Sequence, residues 1–148
     1  MNIEKYINEF EDLIKTNNFN RLESLCLRMA PIYEESFLYY YIGLAQVNMG
    51  LIDSGSYFLR KSIFLNPNAV GGYNILGDLY LRLNKFDLAE NLLSKSIELS
   101  AKNLSIHILY VKTLIKIGDN SKCLKAINYG LTHFENSKEL TELKELLK

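Results

Sequence analysis

The chain has 148 residues, enough to bury a substantial core in one domain. Seventeen basic and seventeen acidic residues cancel to a net charge of zero, and no run of like charge stands out. That balance argues against nucleic acid or an anionic membrane surface as a partner. Two cysteines far apart in sequence, Cys26 and Cys123, do not make a disulfide framework and fit a reducing cytoplasm.

The amino terminus alternates apolar and charged residues, which excludes a secretory leader, and no apolar stretch is long enough to span a bilayer. Residues 2–16 instead read as an amphipathic helix through Tyr6, Phe10, Leu13 and Ile14. Residues 19–30 read as its partner through Phe19, Leu22, Leu25 and Met29, ending at Pro31. From residue 36 onward the chain repeats itself every 34 residues, three times without a gap. Tyr39, Ile42 and Gly43 return as Tyr73, Leu76 and Gly77, then as His107, Tyr110 and Val111. Gly55, Leu59 and Ser62 return as Ala89, Leu93 and Ser96, then as Cys123, Ile127 and Gly130. The amino-terminal pair runs about two residues out of phase with this repeat.

Each 34-residue unit holds two blocks of helical periodicity, 70–83 and 87–99 in the second unit. The blocks are separated by Gly50, Asn84 and Gly118, residue types suited to a left-handed turn. Each unit is therefore expected to be a helix A, a tight turn and a helix B. Gly43 and Gly77 lie within helix A, where glycine costs about 1 kcal/mol relative to alanine. Small residues at the matching site of helix B (Gly55, Ala89, Cys123) explain that cost as close approach of the two helices. At the carboxyl end, Asn136 with Glu139 has the spacing of a capping box. The helix after it, residues 138–148, puts Leu140, Leu143, Leu146 and Leu147 on one side, as a terminal cap requires.

The run Tyr73-Asn74-Ile75-Leu76-Gly77-Asp78-Leu79-Tyr80 resembles the tetratricopeptide-repeat signature, with tyrosine in place of its tryptophan. Ala89 matches the family's small residue and Pro67 its closing proline. The third unit departs from the pattern at His107, Val111 and Glu135. The resemblance implies an all-α fold, a right-handed superhelical solenoid of nine helices. As one domain over 1–148 it would comprise a divergent pair (2–35), three units (36–69, 70–103, 104–137) and a capping helix (138–148).

No catalytic or cofactor motif is present in the sequence: no H-E-x-x-H, no phosphate-cradling loop and no dinucleotide fingerprint. His107 and His133 take repeat positions held elsewhere by Tyr73 and Leu99, which makes them packing residues rather than zinc ligands. A non-enzymatic protein with no cofactor and no metal is expected.

In the family resembled here, the A helices line a concave face. Its groove-facing positions, carried over, are Phe37, Tyr40, Leu44, Val47 and Asn48 in the first unit. They are Gly71, Asn74, Asp78, Leu81 and Arg82 in the second, and Ser105, Ile108, Lys112, Ile115 and Lys116 in the third. The set of lysine, asparagine and arginine with which some members clamp a terminal carboxylate is absent: one of its positions holds Tyr40, Asn74 and Ile108 in the three units, and another Leu44, Asp78 and Lys112. Helices A of the first and third units are apolar nearly all round, which implies a second covered face beyond the core. The expected function is a protein-interaction module, an adaptor or peptide-binding chaperone. Its partner-binding residues would be Phe37, Tyr40, Leu44, Val47, Asn74, Asp78, Leu81, Arg82, Ile108, Lys112 and Ile115. The alternative is a structural or accessory subunit that self-associates or docks into a larger assembly.

Overall fold

The protein, seen in a computed structural model, is described over residues 3–147. The first residue of the expected amino-terminal helix, Asn2, and the last of the expected cap, Lys148, lie outside the described residues. Among the described residues there are nine α-helices and no strand. They run α1 (Ile3–Lys15), α2 (Phe19–Tyr33), α3 (Ser36–Asn48), α4 (Ile52–Leu65), α5 (Val70–Arg82), α6 (Phe86–Leu99), α7 (Leu104–Ile117), α8 (Asn120–His133) and α9 (Lys138–Glu145). The chain divides into two compact halves, residues 1–72 and 73–148.

Four turns of one design join the A helices to the B helices. Asn17, Gly50, Asn84 and Gly118 are left-handed, with φ of 53°, 83°, 57° and 87°. At each, the next residue's N–H reaches back five residues to close the end of helix A. Asn18 donates to Leu13 O at 2.8 Å, Leu51 to Gln46 O at 2.8 Å, Lys85 to Tyr80 O at 2.8 Å and Asp119 to Leu114 O at 3.3 Å. This is the Schellman arrangement, which satisfies carbonyls the helix leaves open. The first turn lies 33 residues before the second, not 34, so the amino-terminal pair is one residue out of phase rather than two.

In the amino-terminal half, α3 and α4 meet backbone to backbone. A Cβ at Gly43 would stand 2.6 Å from Leu59 Cγ and 2.9 Å from both Gly55 O and Leu59 N. A Cβ at Gly55 would stand 2.9 Å from Val47 N and 3.0 Å from Gly43 O. One turn-phase earlier, Phe10 and Leu22 occupy the equivalent places, both fully buried in one cluster with Cys26, Leu38 and Ile42. The first pair thus fills its crossing with side chains where the next one omits them. Tyr39 stacks on Phe58 with centroids 6.2 Å apart, and Lys61 Nζ sits 4.1 Å above the Tyr39 ring.

The carboxy-terminal half reuses the device with gradual substitution. The three atoms nearest a Cβ at Gly77 would all belong to the Leu93 side chain, Cδ2 at 2.6 Å and Cγ at 2.7 Å. Val111 and Cys123 replace the small pair in the third unit, with Sγ of Cys123 3.8 Å from Val111 O. Leu76, Leu93, Val111, Leu114, Ile127 and Leu140 are buried to 1% exposure or less.

Two end signals differ from expectation. Helix α2 runs through Pro31 to Tyr33, because in the last turn proline forfeits a single backbone bond, and Glu34 (φ 40°) ends the helix by donating to Ala30 O. The cap of α9 is Ser137, whose hydroxyl accepts from Leu140 N at 3.3 Å, so Asn136 does not head the helix.

The difference between the two glycine crossings is measurable. Overpacking typically costs about 1–3 kcal/mol, while alanine returns about 1 kcal/mol of helix propensity. Gly43→Ala meets rigid backbone and is expected to destabilise by about 2 kcal/mol, whereas Gly77→Ala meets a movable leucine and should change stability by less than about 1 kcal/mol. Urea midpoints of the two variants decide this; equal losses would contradict the distinction.

Candidate functional site

The proposed binding residues of the amino-terminal half sit on α3. Phe37, Tyr40 and Leu44 are half-buried. The Tyr40 ring stands edge-on to Tyr41, 5.1 Å between centroids. It also lies against Gly71, where a Cβ would be 2.7 Å from Tyr40 Cε2. Burial raises the Tyr40 hydroxyl above the ordinary tyrosine range. Phe37 and Tyr40 face a hollow of about 480 Å³ that Glu35, Ser62, Asn66 and Gly71 complete.

Val47 does not belong to this face. It is 8% exposed, and a Cβ at Gly55 would stand 2.8 Å from its Cγ2, so it occupies the space that the glycine leaves open against α4. One repeat later Ala89 fills that space, and Leu81, the counterpart of Val47, stays half-buried. Ile108 is likewise 9% exposed, in a cluster with Leu140 and Leu143 of α9. Helix α9 covers it, which is why an apolar position on helix A did not become surface.

In the carboxy-terminal half four of the expected residues converge. Leu81 and Arg82 from the last turn of α5 and Lys112 and Ile115 from α7 line a trough of about 450 Å³. Asn84, Phe86, Lys116, Leu143 and Leu146 complete it. Lys116 was among the groove positions carried over from the family; Phe86, Leu143 and Leu146 were not. The spacing of the leucines in α9 marked them only as a cover, yet Leu146 is 79% exposed.

Two of the cations around the trough are engaged within the fold. Arg82 Nε is 3.1 Å from Asp78 Oδ2 on the same helix. Lys112 Nζ donates to Glu139 Oε1 at 2.8 Å, joining α7 to α9. Exposed pairs of this kind contribute about 0–1 kcal/mol each, so a ligand can compete for them. Asn74 is turned to the partner helix, where its carbonyl oxygen accepts from the Ser96 hydroxyl.

Groups with intrinsic chemistry lie elsewhere and serve packing. Burial pushes the Cys26 thiol up to about 12, and Cys123 is raised for the same reason. Both are free and buried. His107 is 1% exposed, with Nε2 2.9 Å from Ala101 O and its ring among Tyr129, His133 and Phe134. Burial holds its pKa below the ordinary histidine value, against the raising effect of the Ala101 carbonyl. No cluster of three or more histidine, cysteine, aspartate or glutamate side chains suited to a metal occurs among the described residues. No described helix is long and apolar enough to cross a membrane.

Residues 70–103, the span of the second unit, match the tetratricopeptide-repeat family model. No curated protein matches the chain. Among solved structures, MamA of AMB-1 superposes with a TM-score of 0.80 at 20% identity, covering 97% of this chain and 79% of that one. A further MamA crystal structure gives 0.81 at 14% identity with the same coverage. The tetratricopeptide domain of Arabidopsis OM64 gives 0.67 at 18% identity, covering 77% of this chain and 94% of that one. At these identities the likeness is one of fold. The fold is thus an all-α helical repeat of the tetratricopeptide type.

His107 makes stability depend on pH with a defined sign. The unfolded chain accepts a proton that the folded chain resists, so this contribution is complete above about pH 6.5, the unfolded value, and is lost as pH falls from there through the lower folded value. The thermal midpoint should drop between neutral and mildly acidic buffer, and His107→Phe should flatten the drop. An unchanged slope in that variant would assign the acid sensitivity to other groups.

Proposed function

We propose that this chain is a non-catalytic adaptor or peptide-binding chaperone that takes a segment of a partner protein on its A-helix surface. The observation carrying this reading is the trough of the carboxy-terminal half, where Leu81, Phe86 and Ile115 are half-buried and Leu146 is exposed, leaving apolar side chains open to solvent at one place over the buried Leu143. Apolar anchors in a desolvated centre supply most of the binding energy of an interface, and a charged rim sets register. Arg82 and Lys112 stand at that rim, with Asp78 and Glu139 beside them. In the amino-terminal half Phe37, Tyr40 and Leu44 are a second set of anchors beside the Gly71 hollow. Both thiols are buried and His107 is bonded to a backbone carbonyl, which fits their use in packing. Two free buried cysteines fit action in the reducing cytoplasm.

The test is affinity purification from the source cell with mass spectrometry, comparing the wild type with two double variants. Leu81→Asp with Leu146→Asp should remove the recovered partner while helicity and thermal midpoint stay near wild type. Tyr40→Ala with Leu44→Asp should weaken the same capture, and Tyr57→Asp on the exposed side of α4 should not. Capture that survives both double variants would remove the A-helix surface from consideration. A mass that rises with concentration in light scattering, and falls in Leu81→Asp with Leu146→Asp, would favour the alternative of a self-associating structural subunit.

A further inference from the structure

The charges around the carboxy-terminal trough are not balanced. Every charged side chain that lines it is basic: Arg82, Lys112 and Lys116. The adjoining hollow shares Asn84, Phe86 and Lys116 with it and adds Lys85, Asp87, Leu88 and Ile117. Of the three lining cations, Arg82 is shared with Asp78 and Lys112 with Glu139, both through exposed contacts. The floor between them is apolar, and Leu146 projects at its edge. An apolar floor under a basic rim selects by sign: a segment offering carboxylates beside its apolar anchors pairs with the rim, and one offering ammonium groups meets repulsion.

We infer that the trough formed by α5, α7 and α9 recognises a short acidic amphipathic segment of a partner protein, with leucine-type side chains on Leu81, Ile115 and Leu146 and carboxylates toward Arg82, Lys112 and Lys116. This deepens the reading proposed above and rests on it, since it names the chemistry of the segment that the trough takes. The rim also explains the two ion pairs. Asp78 and Glu139 hold the cations in place in the free protein, and a partner's carboxylates exchange with them at little cost, because exposed pairs are weak. Among the described residues Lys116 enters no such pair, which makes it the point where the sign of the partner is read most directly.

Three synthetic peptides of one length test this by amide chemical-shift titration of the full chain. One carries leucines at helical i, i+3, i+4, i+7 spacing with glutamates between them. The second replaces glutamate by lysine, and the third keeps glutamate but replaces leucine by alanine. The acidic leucine peptide should shift the amides around Leu81, Lys112, Ile115, Lys116 and Leu146, and more weakly as salt is raised. The lysine and alanine peptides should leave them in place. Lys116→Glu, a change at an exposed residue, should weaken the acidic peptide at least about threefold and bring the lysine peptide into the same site. Equal shifts with the acidic and lysine peptides, no shift with any peptide, or shifts confined to other elements would each overturn the proposal. A partner lost in Leu81→Asp with Leu146→Asp but indifferent to Lys116→Glu would leave the general function standing and remove only the acidic preference.

Discussion

Two backbones meeting with no side chain between them is the constraint on which this protein depends. At the α3–α4 crossing, Gly43 and Gly55 each leave room for the other helix's main chain, and a methyl group at either would stand within 3.0 Å of backbone atoms. Such an approach demands that the joining turn deliver helix B at a fixed angle and height. The left-handed residue and five-residue back-bond at Gly50 do that, and the chain repeats the solution at Asn84 and Gly118. Glycine in mid-helix weakens the helix itself. The return is contact along the whole pair, with Leu59 against the first crossing and Leu93 against the second.

That economy decides where the variable residues go. Once the A–B seam is closed by small residues, the larger apolar side chains of helix A must pack elsewhere or remain at the surface. Val47 finds room against Gly55, and Ile108 is covered by α9. Leu81 and Ile115 find no such cover and stay half-buried beside Phe86 and Leu146. The short α9 is too small to close this area, so the element that caps the core also forms one wall of the trough. The reactive groups follow the opposite course. Cys26, Cys123 and His107 are drawn inward, where burial holds the thiols protonated and the imidazole neutral.

Most of the fold was legible in the sequence because the constraint is written in residue types. Gly43, Gly77, Gly55 and Ala89 recur in register, and Gly50, Asn84 and Gly118 punctuate them. The amino-terminal pair was harder to read because Phe10 and Leu22 replace both small residues and its turn falls one residue early. Of the candidate site, the positions on Leu81, Arg82, Lys112 and Ile115 converge in the structure, whereas Val47 and Ile108 do not reach the surface. A helix that is apolar all round does not announce which of its sides a neighbour will cover. That depends on whether glycine or alanine stands opposite, and on how far the terminal helix extends. Leu143 and Leu146 show the same limit, since one heptad-like stripe serves both as lid and as wall.

Hydrogen exchange of the chain alone and in complex with its purified partner tests the account most directly. Exchange should slow in the last turns of α5 and α7 and along α9, while α4 and α8 keep the rates of the free protein. Slowing confined to α4 and α8, or no slowing in any A helix, would contradict the claim that closing the helix seams with small residues leaves the A-helix surface for the partner.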